Sequence, residues 1–300
     1  MVTIGVGNDM DVRDLQVFLS VATHLNYTRA GEELNLSQPS VSVRIRQLET
    51  ELGVTLFEQL GKKVALTDAG NLLVPHARRV MAAVQDARHA IDELQGLESG
   101  SLRIGASTTP GMYLIPQTVA RFKARHPKIE LHLRIRDTRE VEEAVIRNEF
   151  DFGFVGGHLT TKEVSALPWL TDELLLVVPP HHRFAGKKTV KKQDLESARF
   201  ILREQGSATR ATIIDHLKES EINVETVMEM ENPESVKQAV LSGLGIAFIS
   251  KFAVAAELKA KTIVAVRVNG LSIKRELKIV YRKDKHLTRA ALALIEVART

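Results

Sequence analysis

Residues 36–58 read LSQPSVSVRIRQLETELGVTLFE. Ser37 can cap a helix through its hydroxyl, and Pro39 falls in the first turn, where a missing N–H leaves no bond unmade. From there Val41, Ile45, Leu48 and Leu52 recur at spacings of 4, 3 and 4, which predicts one inward stripe on a helix. The opposite face carries Gln38, Ser42, Val43 and Arg46, flanked by Ser40 and Arg44, and no acidic residue comes before Glu49.

Upstream, Leu15, Phe18, Leu19 and Ala22 predict an amphipathic helix over Val12 to Thr23. Thr28 is expected to cap a short helix through Leu34, with Ala30 and Leu34 inward, before a tight turn at Asn35-Leu36. Two helices joined by a short turn form a helix-turn-helix arrangement. Such a helix fits the major groove, where Gln can pair with adenine, Arg with guanine, and Ser with several base edges or with phosphate. Its N-terminus also favours a nearby phosphate. A solvated face in an ordinary helical bundle would have the same shape, so this stretch alone leaves both readings open. Downstream, Gly53 ends the helix, Gly61-Lys62-Lys63 makes a basic turn and Val64-Ala65-Leu66 returns as a strand. That is a two-stranded wing with lysines at its tip, placed for backbone phosphates. Thr67-Asp68-Ala69-Gly70 then caps a new helix. The DNA-facing set comprises Arg29, Ser37, Gln38, Pro39, Ser40, Ser42, Val43, Arg44, Arg46, Lys62 and Lys63.

The order DLQVFLSVATHLNYTRAGEELNLSQPSVSVRIRQLETELGVTLFE (14–58), followed by KKVALTDAG (62–70), resembles the DNA-binding end of the bacterial LysR-type transcriptional regulators. The family often carries a basic residue where this chain has Val43, with Arg44 one position later, so a contact has moved or been lost. Met10-Asp11-Val12-Arg13 aligns with the family's usual opening, and residues 1–9 are then expected to be an N-terminal extension.

Composition sets bounds around this reading. Three hundred residues suggest two or three domains, and 44% apolar with 26% charged residues is ordinary for a globular chain. Cysteine is absent, which excludes disulfides, thiolate zinc sites and a cysteine nucleophile, and suits a cytoplasmic location. No apolar run approaches the ~18 residues of a membrane span, and the N-terminus lacks the basic and apolar regions of a secretory signal. Net charge is +4, yet Met10 to Gly70 holds six basic against eight acidic side chains. The basic excess lies elsewhere, as in KKTVKK at 187–192, so a DNA-binding argument rests on where charges sit rather than on their sum.

From Asn71 to Gln95, Leu73, Ala77, Val80, Val84, Ala87, Ile91 and Leu94 alternate at spacings of 4 and 3. This heptad seam favours a second copy of the same helix over packing on its own domain. Pro75 is expected to kink or restart the helix near its beginning. Residues 96–100 then read as a hinge.

Beyond it, strands alternate with helices. SLRIGA (101–106) is a strand, a helix with Leu114, Val119 and Phe122 follows, and Lys128 to Arg136 is a strand with Ile129, Leu131, Leu133 and Ile135 on one face. A helix over Thr138 to Asn148 and a strand in FDFGFVGG (150–157) complete βαβαβ, which predicts a parallel sheet. A second set has strands at 173–178, 199–202, 224–230, 245–249, 263–268 and 276–281, and helices at 207–217, 233–242 and 288–299. The resemblance, which extends over nearly the whole chain, implies a two-lobed α/β effector-binding domain similar to periplasmic binding proteins. Two strand segments, near 171–179 and 264–282, would cross between the lobes. The expected organisation is thus α/β. A winged helix-turn-helix spans 10–68, a linker or dimerisation helix 69–95 and a hinge 96–100. Lobe I comprises 101–172 and 270–300, and lobe II comprises 173–269.

Ligands of open α/β sheets bind beyond the carboxyl ends of strands. Two loops qualify: Ser107-Thr108-Thr109 after the first strand, and Gly206-Ser207 with Thr209 and Arg210 after the first strand of the second lobe. Each offers hydroxyls at a helix start, which suits an anion, and Arg210 could add a bidentate partner. Simple helix capping explains the same residues at least as well from local sequence. The resemblance favours the ligand reading and adds Gly156 and Asn232 to the mouth. The two loops are also similar to those of family members that sense small oxyanions or metabolites of sulfur and carbon assimilation.

Gly243-Leu244-Gly245 lacks the third glycine and the strand-to-helix order of a dinucleotide fingerprint. His181-His182 reads as a solvated turn and Trp169 as core. No catalytic or metal-binding constellation is evident, and no cofactor is expected. The leading expectation is a cytoplasmic homodimer or homotetramer that binds double-stranded DNA and a small anion or carboxylate effector, whose binding biases two arrangements of the lobes. A solute-binding protein or an α/β enzyme with a fused helical N-terminus is the alternative.

Overall fold

The structure is a computed structural model that describes residues 10–61, 63–92 and 100–300. Residues 1–9, Lys62, Leu94 and the hinge positions 96–99 therefore lie outside the described residues. The chain folds as two compact units, Met1–Leu94 and Gln95–Thr300.

The first unit runs α1 (Val12–His24), α2 (Tyr27–Leu34), α3 (Gln38–Leu52), β1 (Phe57–Leu60), β2 (Lys63–Leu66) and α4 (Asp68–Asp92). Its core gathers Leu15, Phe18, Val21, Ala30, Val41, Ile45, Leu48, Leu56 and Phe57. The α2–α3 turn is tight enough that a Cβ on Gly31 would lie 2.6 Å from the Leu36 carbonyl oxygen, so only glycine fits. Ser37 caps α3 as expected, accepting the Ser40 N–H at 3.3 Å. The cap of α2 differs: Asn26 Oδ1 accepts the N–H groups of Thr28 and Arg29, so the helix starts at Tyr27 and Thr28 lies inside its first turn. Asn is the stronger cap of the two, and it sits where both N–H groups can be reached. Leu52 is 38% exposed rather than inward, because the last turn before Gly53 runs past the edge of the core. α4 continues through Pro75 without restarting. Leu73, Val74 and Ala77 pack into the core on either side of the proline.

The second unit runs β3 (Gly100–Ser107), a π-helical turn (Pro110–Leu114), α5 (Ile115–Arg125), β4 (Ile129–Arg136), α6 (Thr138–Ile146), β5 (Phe152–Gly156), β6 (Val164–Val178), β7 (Thr189–Val190) and a 3-10 turn (Lys192–Leu195). It continues with β8 (Arg199–Arg203), α7 (Ala208–Glu219), β9 (Glu225–Met230), α8 (Pro233–Leu241), β10 (Ala247–Ser250), α9 (Ala255–Ala260), β11 (Val264–Val268), β12 (Ile273–Arg282) and α10 (Arg289–Arg299). β3 lies between β4 and β5, parallel to both. β4 is the outer strand, so burial fades along it and Ile135 is 42% exposed, not inward. β8 and β9 pair in parallel in the second lobe.

Two antiparallel strands serve both lobes. β12 pairs with β5 in one lobe and with β6 along its whole length, while β6 also pairs with β10 and β11 in the other. β6 is more than twice as long as expected, since the expected strand began only at Glu173. Its register passes from Leu277 opposite Leu170 to Lys278 opposite Pro168, so Trp169 is the extra residue of a bulge. A bulge shifts which face each side chain takes. Before it, Leu167 and Trp169 pack on the lobe I core; after it, Leu174, Leu176 and Val178 face the lobe II core.

Candidate ligand site and nucleic-acid interface

The centre of the second unit is a cross-strand ion pair. Arg275 on β12 stands opposite Asp172 on β6. Its Nε and one terminal nitrogen donate to the same carboxylate oxygen at 2.9 and 2.8 Å, and the two side chains are only 4% and 0% exposed. The Ser250 hydroxyl donates to the other Asp172 oxygen at 2.8 Å. The guanidinium then reaches in two further directions. It donates to Thr209 Oγ1 at 2.7 Å, in the first turn of α7, and to Thr109 Oγ1 at 3.2 Å, just after β3. One buried cation thus holds a hydroxyl from each lobe. Burial pushes the Arg275 guanidinium below its ordinary pKa, Asp172 opposes that, and the nearby Arg203 charge adds to the lowering.

Ser107, Thr108, Thr109, Gly156, Ser207 and Thr209 line one small cavity with Asp137, Thr138, Arg203, Ala208 and Arg275. Its volume is about 20 Å³, little more than one water. Ser207 caps α7, and the N-terminal end of this 12-residue helix adds partial positive charge. Arg203 is buried and makes a bidentate pair with Glu204 at 2.7 Å. Gly156 packs closely: a Cβ there would lie 2.9 Å from Leu277 Cδ2, so that side chain would have to shift, and 3.5 Å from Arg275 Cζ, an ordinary contact distance. The site thus presents two buried arginines, hydroxyls from both lobes and one helix terminus, a donor-rich arrangement suited to a small anion. Asp137 is already engaged by the Glu140 N–H at 2.7 Å, which it caps.

Three expected residues lie outside this lining. Arg210 donates to the Arg203 carbonyl at 2.7 Å and pairs with Glu229, which turns it toward the β8–β9 pair. Asn232 caps α8, accepting the Ser235 N–H at 2.8 Å. Gly206 sits in the preceding turn with φ +90°, where it positions Ser207 without touching the cavity. The main residue missed is Arg275. Ile273, Arg275, Leu277 and Ile279 alternate on the buried face of β12, so an arginine in phase with an apolar stripe was the available signal.

On the first unit, α3 exposes Gln38, Pro39, Ser40, Val43 and Arg46, while Ser42 and Arg44 are half-buried. Gln38 Nε2 donates to Ser42 Oγ at 2.9 Å, and the Ser37 and Ser40 hydroxyls lie 2.8 Å apart. Arg44 is drawn back onto α1, where it donates to Asp14 Oδ1 at 2.6 Å. Arg29 on α2 and Lys63 at the start of β2 are exposed.

Residues 12–71 match the family model described as bacterial regulatory helix-turn-helix protein, lysR family, and residues 95–300 match the LysR substrate binding domain. The chain belongs to the LysR family. Among curated relatives, the RuBisCO operon transcriptional regulator of Allochromatium vinosum is 36% identical over 96% of this chain and 95% of its own. Among solved structures, a full-length OxyR variant from Pseudomonas aeruginosa has a TM-score of 0.80 at 23% identity, over 98% of this chain and 96% of that one. The regulatory domain of CcmR from Synechocystis PCC6803, in complex with 2-PG, has a TM-score of 0.63 at 24% identity, over 67% of this chain and 96% of that one. These likenesses leave the solute-binding and enzyme alternatives unfavoured. A LysR chain also raises the question of the α4 seam. Leu73 and Ala77 are spent on the core of their own domain, while Val80 and Ile91 are 39% and 61% exposed and Ala87 is exposed. Among the described residues no helix is long and apolar enough to cross a membrane.

Proposed function

We propose that this chain is a transcriptional regulator that reads double-stranded DNA with α3 and the wing. Its response would be set by a small anion held between residues 101–172 with 270–300 and residues 173–269. The carrying observation is Arg275, buried and shared between Thr109 of one lobe and Thr209 of the other. An anion entering there competes with those hydroxyls for the guanidinium and gains Ser107, Ser207 and Arg203. It shifts the balance between lobe arrangements only by its differential affinity for them. The name of the Allochromatium relative and the 2-PG held by the CcmR domain support a target among RuBisCO genes and a small phosphorylated or carboxylate effector. Gln38, Ser42 and Arg46 would face base edges, and Arg29, Ser37, Ser40 and Lys63 phosphates. Val80, Val84, Ala87, Ile91 and Leu94 would pair two copies in a homodimer or homotetramer. A cytoplasmic location belongs to the same proposal.

Two measurements test it. Thermal unfolding of the full chain is followed against oxyanions, phosphorylated metabolites including 2-PG, small carboxylates and aromatic acids. A ligand at ~100 times its dissociation constant stabilises by about 2.7 kcal/mol. A selective shift from one small anion, lost in Ser107→Ala, is expected; shifts only from larger apolar acids would sink the anion reading. Separately, Gln38→Ala and Ser42→Ala should lose sequence-specific DNA binding with the fold intact, and unchanged specificity in both would reject α3 as the reading helix.

A further inference from the structure

The N-terminal half of α3 presents an apolar side chain, Val43, on its exposed face. Val43 is two residues from both Val41 and Ile45, and at about 100° per residue that places it on the side opposite the buried stripe. It is 51% exposed, on a face shared with Pro39 and Arg46. Arg44, the adjacent arginine, is not part of this face, because its guanidinium is held by Asp14 at 2.6 Å on the flank of the helix. Helix-turn-helix proteins read base edges mainly with the N-terminal half of this helix. In that half the chain offers a glutamine amide, hydroxyls and one branched apolar side chain, with no free guanidinium.

Each of these groups has a matching base edge. Gln38 spends one amide hydrogen on Ser42 Oγ at 2.9 Å, leaving the other hydrogen and Oε1 for the N7 and N6 edge of adenine. The apolar feature of the major groove is the thymine 5-methyl group, and apolar side chains recognise it by contact. We propose that Val43 is a specificity-determining residue that reads a thymine methyl, so that one thymine of the recognition half-site is selected by its 5-methyl group. This inference rests on the DNA-binding reading of α3 and adds the base class it selects.

The experiment uses the full chain. A randomised duplex pool is selected for binding, and each thymine of the selected site is then replaced singly by deoxyuridine, which removes the methyl and keeps base pairing. Burying one methyl group's worth of apolar surface corresponds to a roughly fourfold change in affinity. At one thymine per half-site the wild type should therefore weaken about fourfold. Val43→Ser, which removes both γ-methyls from an exposed site, should bind the thymine and deoxyuridine duplexes alike. Selection of a site without any methyl penalty, or an undiminished penalty in Val43→Ser, overturns this inference while leaving DNA binding intact. Failure of the wild type to select any sequence overturns the DNA-binding reading and this inference with it.

Discussion

Replacing Asp172 with asparagine isolates the role of the central ion pair. The change is isosteric, and the amide oxygen can still accept the Ser250 hydroxyl, so packing is kept and one charge is lost. Arg275, 4% exposed, is then left with the Thr109 and Thr209 hydroxyls and no counter-charge. Stranding one partner of a buried pair costs about 3–5 kcal/mol. For a unit of about 200 residues, each kcal/mol lowers the melting temperature by roughly 2–4 °C, which gives a fall of about 6–20 °C. The chain has one tryptophan, Trp169, and it lies on β6, so its fluorescence follows the second unit within the full-length protein. Arg275→Met should destabilise as well, because it strands the carboxylate. The double variant removes both charges, so its loss should fall short of the sum of the two by at least about 2 kcal/mol. Additive losses, or a shift below about 2 °C in Asp172→Asn, would refute the argument that the pair is held together by mutual neutralisation.

Arg44→Ala and Asp14→Ala should each cost the first unit less than about 1 kcal/mol by denaturant titration, as expected for a partly exposed pair. Both should leave DNA affinity nearly unchanged; a large affinity loss in Arg44→Ala alone would show the arginine reaching DNA. Gly156→Ala should destabilise by no more than about 1–3 kcal/mol, because its methyl meets the end of the buried Leu277 side chain, and it should blunt any anion-induced thermal shift. Asp151 gives a pH signature. Burial favours its neutral form, but Lys285 and Arg103 outweigh that and lower its pKa beneath the ordinary 3.8. A carboxyl whose folded pKa is depressed stabilises above its unfolded value and loses that contribution as pH falls through the folded one. Unfolding of the second unit measured below pH 3.8 should therefore steepen in the wild type and flatten in Asp151→Asn.

Much of the fold was legible because its signals are local. Helix α3 announces itself by a cap, a proline and a stripe, all within 16 residues. The hydroxyl loops of the ligand site follow strands, and the structure brings Ser107, Thr108, Thr109, Ser207 and Thr209 to one cavity. What was not legible depends on pairing between distant segments. The first half of β6 carries Pro168 and changes phase at Trp169, so no single alternation runs through it. Arg275 and Asp172 are 103 residues apart and look like surface charges until the two strands are set side by side. Arg210 sits at the right helix start, yet Glu229 on β9 claims it, which only the β8–β9 pairing reveals.

The placement of Arg275 also bears on how a ligand could act as a switch. β6 and β12 carry the chain between lobes, and the ion pair lies on both of them. With Asp172 fixing its Nε side, the far side of the guanidinium is the part that can exchange partners. In the structure that side is satisfied internally by Thr109 and Thr209, within a cavity of about 20 Å³. An effector larger than a water can enter only by displacing at least one hydroxyl or by parting the two loops that carry them. Either way its net effect is what it gains from the arginines less what the threonines lose. The threonine bonds already have one charged partner, and an anion makes both partners charged, which roughly doubles a hydrogen bond's strength, so a charged ligand gains where a neutral one of equal size roughly breaks even. Moving a two-state balance by a factor of ten takes about 1.4 kcal/mol of differential affinity, within reach of one such exchange. Threonine hydroxyls as the resting partners therefore favour an anion as the signal, and Thr109→Val, which removes one competitor, should tighten the anion while weakening closure of the unliganded lobes.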